Sequence, residues 1–144
     1  MRIYIYIILS LIIIGGCKKK TTVSTVPVIS FISQNPSIIK AYKDSVIFTI
    51  GYEDADGDIG ENNANAENLF LTDNRINITY KYRVKQLAPS GSSIAIKGNL
   101  DVILKSTDIT DNSSSQTATY SIYLTDRAGN KSNSVTSGTI TINK

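Results

Sequence analysis

The sequence predicts an all-β protein built from short strands. Apolar and polar residues alternate with a period of two along much of the chain, which is the pattern of strands with one buried and one exposed face. After Cys17, no segment keeps a helical period of apolar residues for three turns. The alternating runs are short and are separated by polar turns, as expected for a sandwich or a barrel.

The first three predicted strands occupy residues 27–33, 44–53 and 68–72. The first begins at Pro27, directly after a spacer rich in serine and threonine. In the second, the even positions from Val46 to Tyr52 are apolar, so these side chains are predicted to face the core.

The fourth predicted strand, residues 77–86, has the most regular alternation in the chain. The inward-facing side chains are expected to be those of Ile78, Tyr80, Tyr82 and Val84, and the outward-facing ones those of Thr79, Lys81, Arg83 and Lys85. The three cations would form a stripe able to contact a phosphate or an anionic glycan. Such charges more often protect an edge strand from pairing with another chain, and we favour that interpretation.

The last three predicted strands are residues 94–105, 117–125 and 134–142. Gly98 lies inside the fifth strand and predicts a bulge, a bend or a division into two strands. The apolar positions that alternate with polar ones in these strands are Leu100, Val102, Leu104, Tyr120, Ile122, Leu124, Ile140 and Ile142.

Seven short strands within about 120 residues suit a single immunoglobulin-like β-sandwich over residues 27–144. The chain has one cysteine and no tryptophan, so it lacks the disulfide and the core tryptophan of antibody domains and would be of the bacterial type. A small closed barrel is the alternative, because periodicity alone does not separate the two architectures.

The N-terminal residues have the layout of an export signal. Arg2 precedes the apolar run Ile3–Ile14, which is shorter than the roughly 20 residues of a membrane-spanning helix. An uncleaved membrane anchor is therefore the less favoured alternative. The tetrapeptide Ile-Gly-Gly-Cys that ends at Cys17 resembles the bacterial lipobox, in which the cysteine is acylated and becomes the first residue. We expect a signal peptide at 1–16, a lipid at Cys17 and a tether at 17–26.

The composition excludes several kinds of chemistry. The chain has no histidine, so imidazole-based triads and His-ligated metal sites are excluded. After acylation of Cys17 no thiol remains for catalysis, disulfides or metal binding. The net charge of +3 is small and does not suggest nucleic-acid binding. No catalytic motif built on carboxylates or a Ser-Lys pair is recognisable, so we expect a protein that is not an enzyme.

Residues 54–60 form the most specific candidate site. Asp54, Asp56 and Asp58 place three carboxylates at alternate positions, and glycines at 57 and 60 let the backbone curl. Calcium prefers six to eight oxygen ligands, several of which can come from one acidic loop. The spacing is not that of an EF-hand, because Ile59 stands where that loop needs glycine. A tight turn held by side-chain-to-backbone bonds, without metal, is the alternative.

In an immunoglobulin-like arrangement, the loops after the second and sixth strands lie at the same end of the sandwich. Asp126 is therefore expected near the acidic loop. We predict a structural calcium site formed by Asp54, Asp56, Asp58 and Asp126 that stiffens the loop. Further oxygen ligands could come from Asn130, Glu61, Asn62, Asn63 and Asn65.

Three segments, residues 52–60, 68–73 and 124–133, are similar to segments of small lipoproteins of Bacteroidota that carry an immunoglobulin-like domain. The turn at residues 126–130, Asp-Arg-Ala-Gly-Asn, also resembles the final hairpin of many bacterial immunoglobulin-like repeats. The resemblance covers nearly the whole mature chain and implies a fold and an envelope location, but no activity or ligand.

These observations predict a non-enzymatic module that is anchored by lipid in a bacterial cell envelope. The expected location is the outer membrane. It would bind or organise an envelope protein or a glycan. The alternative function is that of a glycan-binding accessory in an outer-membrane uptake system. That role needs an exposed aromatic platform, and the lack of tryptophan counts against it.

Overall fold

The fold is taken from a computed structural model and is described for residues 24–144. The predicted signal peptide, Cys17 and the first part of the tether lie outside these residues. Residues 24–144 contain ten strands and no helix, which confirms the all-β prediction. Nothing in this part of the chain therefore forms a helix of the length and apolar character that would span a bilayer.

The strands are β1 (Val28–Asn35), β2 (Ile38–Lys40), β3 (Val46–Asp54), β4 (Leu69–Asp73), β5 (Ile78–Tyr82), β6 (Ile96–Leu104), β7 (Ser115–Ala118), β8 (Tyr120–Leu124), β9 (Val135–Thr136) and β10 (Ile140–Asn143). They form three sheets, in the orders β1-β3-β6, β2-β10-β7 and β5-β4-β8-β9. The pairing of β2 with β10 is parallel and the other pairings are antiparallel.

Each predicted run contains at least one strand, and the larger number of strands has two sources. The short strand β2 was not predicted, because three residues carry too little alternation to recognise. The last two predicted runs are each divided, at Thr119 and at residues 137–139. The two breaks face each other: the hydroxyl of Ser137 accepts a hydrogen bond from the N–H of Tyr120 (2.9 Å). A side chain therefore takes the place of a main-chain partner between these two runs.

The core has the two-layered character of a β-sandwich. Apolar side chains of β1, β3 and β6 meet those of β4, β8 and β10 in one cluster. At its centre the rings of Phe48 and Tyr120 are 5.2 Å apart with an interplanar angle of 57°, within the range of favourable aromatic pairs. The predicted inward positions that are buried are Val46, Phe48, Ile50, Val84, Val102, Leu104, Tyr120, Ile122, Leu124, Ile140 and Ile142.

The prediction of a bulge or break at Gly98 is wrong. Strand β6 runs unbroken from Ile96 to Leu104, in regular register with β3. A Cβ atom at Gly98 would lie 2.7 Å from the hydroxyl oxygen of Tyr52, so the glycine makes room for the ring of its cross-strand neighbour. The irregularity lies instead in β1, between Phe31 and Ser33.

The fourth predicted strand is shorter than expected, since β5 ends at Tyr82. Ile78, predicted to face inward, is 52% exposed because it begins an edge strand directly after a turn. Val84 is buried as predicted, but outside the sheet. Its N–H donates to Oδ1 of Asn68 (2.7 Å) and its carbonyl accepts from the N–H of Glu61 (3.0 Å). After β5 the chain thus leaves the side of β4 and runs along residues 59–61, where the N–H of Leu87 also donates to the carbonyl of Ile59 (3.3 Å).

Candidate metal centre

The acidic loop, residues 54–60, begins at the last residue of β3. Its curl depends on two glycines with left-handed backbone angles, φ 74° at Gly57 and φ 83° at Gly60. A Cβ at Gly57 would lie 2.2 Å from the carbonyl oxygen of Ile94, and one at Gly60 would lie 2.1 Å from that of Lys85. The segment that precedes β6 therefore packs directly on the loop backbone, which only glycine permits at these positions.

Three carboxylates meet inside this loop. One oxygen each from Asp54, Asp56 and Asp58 lies within 4.8 Å of the other two. The Oδ1 atom of each residue is buried and accepts no hydrogen bond from residues 24–144. Asp54 is itself only 3% exposed. A buried acceptor without a donor is costly, and a buried charge more so, so a cation, a proton or a water molecule that donates a hydrogen bond would stabilise the arrangement.

The second oxygens of two of these carboxylates hold the loop in shape. Oδ2 of Asp54 accepts hydrogen bonds from the N–H groups of Asp58 (2.8 Å) and Ile59 (3.1 Å). Oδ2 of Asp58 accepts from the N–H of Ala128 (3.1 Å) in the turn after β8. These backbone hydrogen bonds fix the orientation of both carboxylates. The Oδ1 atom of each carboxylate is left without a hydrogen-bond donor from residues 24–144.

The electrostatics of the loop disfavour the fully ionised state. Burial, and then the neighbouring Asp56, raise the pKa of the Asp54 carboxyl above its usual value. Burial, and then the negative charges of Asp126 and Asp56, raise the pKa of Asp58. Hydrogen bonds from backbone N–H groups act in the opposite direction at both residues and do not outweigh burial.

The donor set fits a hard divalent cation. All three side chains offer carboxylate oxygens, which suit calcium or magnesium and not soft metals. Oxygens bound to one calcium at about 2.3–2.6 Å are at most about 5 Å apart, so the observed spacing suits a single ion. The other ligand positions of calcium can be filled by second carboxylate oxygens, main-chain carbonyls or water.

Asp126 lies beside the acidic loop, where a bridge pairs it with Ile59. It does not belong to the group of three converging carboxylates. Its Oδ1 accepts a hydrogen bond from the N–H of Asn130 (2.7 Å), and its Oδ2 accepts one from the Asn130 side chain (2.8 Å). In this structure its carboxylate therefore closes its own turn and contributes negative charge near Asp58.

The other predicted oxygen ligands make local contacts. The side chain of Asn62 donates to Oε1 of Gln86 (2.7 Å), and Oδ1 of Asn63 accepts from the N–H of Asn65 (3.0 Å). Glu61 contributes its N–H to Val84. Glu61 is not among the acidic residues that converge with Asp54, Asp56 and Asp58 within residues 24–144.

The cationic stripe does not lie on one continuous strand. Lys81 is in β5, while Arg83 and Lys85 follow the end of that strand. Lys81 forms an exposed ion pair with Glu67 (2.7 Å), and Arg83 donates to the carbonyl of Asn62 (3.3 Å). Strand β5 is an edge strand of its sheet, so the edge-protecting interpretation can apply to Lys81, and the expectation that all three cations lie on one strand is wrong.

Sequence reasoning missed a second charged cluster at the opposite end of β4. Asp73 is fully buried and pairs with Arg75 at 2.6 Å. The guanidinium also donates to the carbonyl of Asp108 (2.9 Å) and to Oε1 of Gln116 (2.7 Å). The only sequence signal is an Asp two residues before an Arg in a turn, which is too common to single out.

Comparisons with known proteins found no matching family model and no significantly similar curated protein or solved structure. The function must therefore be argued from the geometry of this chain.

Proposed function

We propose that the protein is a lipid-anchored, non-enzymatic module of a bacterial cell envelope, located at the outer membrane. Its acylated Cys17 would hold a single immunoglobulin-like β-sandwich at the membrane surface, where the sandwich binds or organises an envelope protein or glycan. The strand order supports the immunoglobulin-like assignment: β1-β3-β6 in one layer opposes β5-β4-β8-β9, and β2 lies parallel to β10.

The same proposal includes a structural calcium ion held by Asp54, Asp56 and Asp58. The single observation that carries it is the set of three buried carboxylate oxygens without a hydrogen-bond donor. Because these oxygens are inaccessible to solvent, an ion there would be internal to the loop. This supports a bracing role and argues against a catalytic pair of carboxylates, which would need an open cleft.

The metal site is tested by calorimetric titration with calcium of the full chain, after bound metal has been removed with a chelator. We expect heat of binding and a rise in melting temperature, both greatly reduced in the Asp56→Asn variant. The exposed Asp101→Asn variant serves as the matched control. Absence of heat and of a melting shift at millimolar calcium would refute this part of the proposal.

Metabolic labelling with an alkyne fatty acid tests the anchor separately. We expect label on the wild-type chain and none on Cys17→Ser. If the wild-type chain takes up no label, or is recovered free of membranes, the anchoring proposal fails while the metal proposal stands.

The alternative role in glycan binding receives less support. Phe70 stacks on Tyr123 with ring centroids 4.6 Å apart, and the ammonium of Lys131 lies 3.8 Å from the Tyr123 centroid. The Tyr123 ring is thus already engaged by the protein and is a poor platform for a sugar.

A further inference from the structure

The two long sides of the sandwich differ in how many hydrogen bonds join the two layers. On one side, two amide side chains join the layers. Asn133 accepts from the N–H of Ile29 through Oδ1 (2.8 Å) and donates to the Ile29 carbonyl through Nδ2 (2.8 Å). Gln34 accepts from the N–H of Gly138 (3.0 Å) and donates to the carbonyl of Thr139 (3.3 Å). These contacts occupy main-chain groups that would otherwise be available to another strand.

On the opposite side, both layers end in an edge strand. Within residues 24–144, β6 pairs only with β3 and β5 pairs only with β4. No other main-chain hydrogen bond joins β6 to a described element. Strand β6 is nine residues long, and a long edge with free N–H and C=O groups is a template for a further strand.

Between these edges lies the β5–β6 groove, defined here by Leu69, Tyr82, Arg83, Leu100, Val102 and Lys105. Its volume is about 320 Å³, and an adjoining depression of about 260 Å³ continues past Tyr80. The floor is apolar and consists of partly or fully buried side chains from both layers. Ile103, at the rim, is 49% exposed.

The charge at the rim is positive. Arg83 and Lys105 are exposed, and neither belongs to an ion pair among the described residues. Asp101 also lines the groove and adds one negative charge, and its carboxylate accepts a hydrogen bond from the hydroxyl of Thr49 (2.7 Å). Arg83 donates to the carbonyl of Asn62 but keeps its positive charge, and together with Lys105 it outnumbers the carboxylate of Asp101, so the rim favours a ligand that carries carboxylates.

We propose that the β5–β6 groove binds an extended acidic segment of a partner protein, which adds as a strand to the free edge of β6. Main-chain hydrogen bonds to β6 would supply affinity, and alternate apolar side chains of the segment would enter the groove. Its acidic residues would pair with Arg83 and Lys105. A second copy of this chain fits less well, because two such edges would bring like charges together.

The test measures binding of a fluorescein-labelled synthetic peptide in which glutamate and valine alternate over the length of β6. The full chain in detergent micelles is titrated and fluorescence anisotropy is recorded. We expect saturable binding that weakens about tenfold or more in the double variant Arg83→Glu, Lys105→Glu, which corresponds to about 1.4 kcal/mol. The double variant Lys40→Glu, Lys43→Glu, with the same change in net charge at exposed positions elsewhere, should bind as the wild type does.

A second peptide separates strand addition from charge attraction. Methylation of alternate backbone nitrogens of the same peptide keeps its charge and removes the donors needed for strand pairing. We expect this peptide not to bind, and we expect hydrogen exchange of the β6 amides to slow only with the unmodified peptide. Equal binding of both peptides, no binding of either, or a stable dimer in sedimentation with the groove already filled would overturn the proposal. None of these outcomes bears on the calcium site.

Discussion

Asp54→Asn should change the stability of the protein in opposite directions with and without calcium. Three carboxylate oxygens within 4.8 Å repel one another by about 3.5 kcal/mol per pair at an effective dielectric constant of about 20. The substitution removes two of the three repulsions. It also keeps a side-chain oxygen that can accept from the N–H groups of Asp58 and Ile59, so the turn itself can persist.

The hydrogen bonds from these N–H groups weaken when the charged carboxylate becomes a neutral amide, which offsets part of the relief. The raised pKa values of Asp54 and Asp58 agree that burial and neighbouring charge disfavour ionisation in this loop. We therefore expect a smaller net gain of about 1–2 kcal/mol in the free energy of unfolding of Asp54→Asn in chelator at neutral pH. With calcium at about 100 times its dissociation constant, the wild type gains about 2.7 kcal/mol, and the variant loses most of that gain. The order of stabilities should reverse.

The assay is chemical denaturation of both proteins in chelator and in calcium, followed by circular dichroism. The Asp101→Asn variant, which alters an exposed carboxylate in β6, should show no such reversal. If Asp54→Asn destabilises the protein equally in both conditions, its carboxylate serves the turn alone and the inference of a metal site is refuted.

Four further substitutions test the close packing of a glycine, a buried ion pair and the hydrogen bonds between the layers. Gly60→Ala should destabilise the fold by about 3 kcal/mol or more in denaturant titrations, because its Cβ would overlap a carbonyl oxygen. Gly129→Ala, where φ is also positive but the space is open, should lose only about 1 kcal/mol; equal losses would contradict the role of close packing. Burial tends to raise the pKa of Asp73, but the hydrogen bonds and charge of Arg75 outweigh it and the pKa is lowered. The stabilisation by the ionised Asp73 is present above the usual Asp pKa of 3.8 and is lost as pH falls through the lower folded value. Asp73→Asn should therefore reduce the loss of stability at acid pH in a stability–pH curve. An unchanged acid limb would disprove this role of Asp73. Asn133→Ala should cost about 1–3 kcal/mol by removing two hydrogen bonds between the layers, measured by thermal melting, and a neutral effect would show that these bonds add little.

The strands with clear alternation could be predicted from the sequence. Phe48, Tyr120 and Ile142 lie in the core as expected. Their strands have one buried face, and the alternation of apolar and polar residues identifies that face. The prediction failed where a contact outside the strand decides the conformation. Position 98 requires glycine because the ring of Tyr52, on the neighbouring strand, occupies the space of a side chain. The residues around Gly98 in the sequence do not indicate which residue lies opposite.

The candidate site was predictable in part for a similar reason. Asp54, Asp56 and Asp58 are close in sequence, so a single curled loop brings them together. The state of Asp126 depends on which donors reach its carboxylate after folding, and both come from Asn130. The pair of Asp73 and Arg75 escaped notice because its importance comes from burial, which short-range spacing does not reveal.

The guanidinium of Arg127 donates hydrogen bonds to the carbonyls of Gly60 (2.8 Å) and Gly57 (3.5 Å), so the connection that follows β8 is tied to the one that follows β3. Loosening of either connection should release the other, and both would then open as one cooperative unit. The peptide bond after Arg127 is a potential trypsin site inside this unit, so a comparison of its cleavage rate with and without calcium would report whether the proposed ion holds the two connections together.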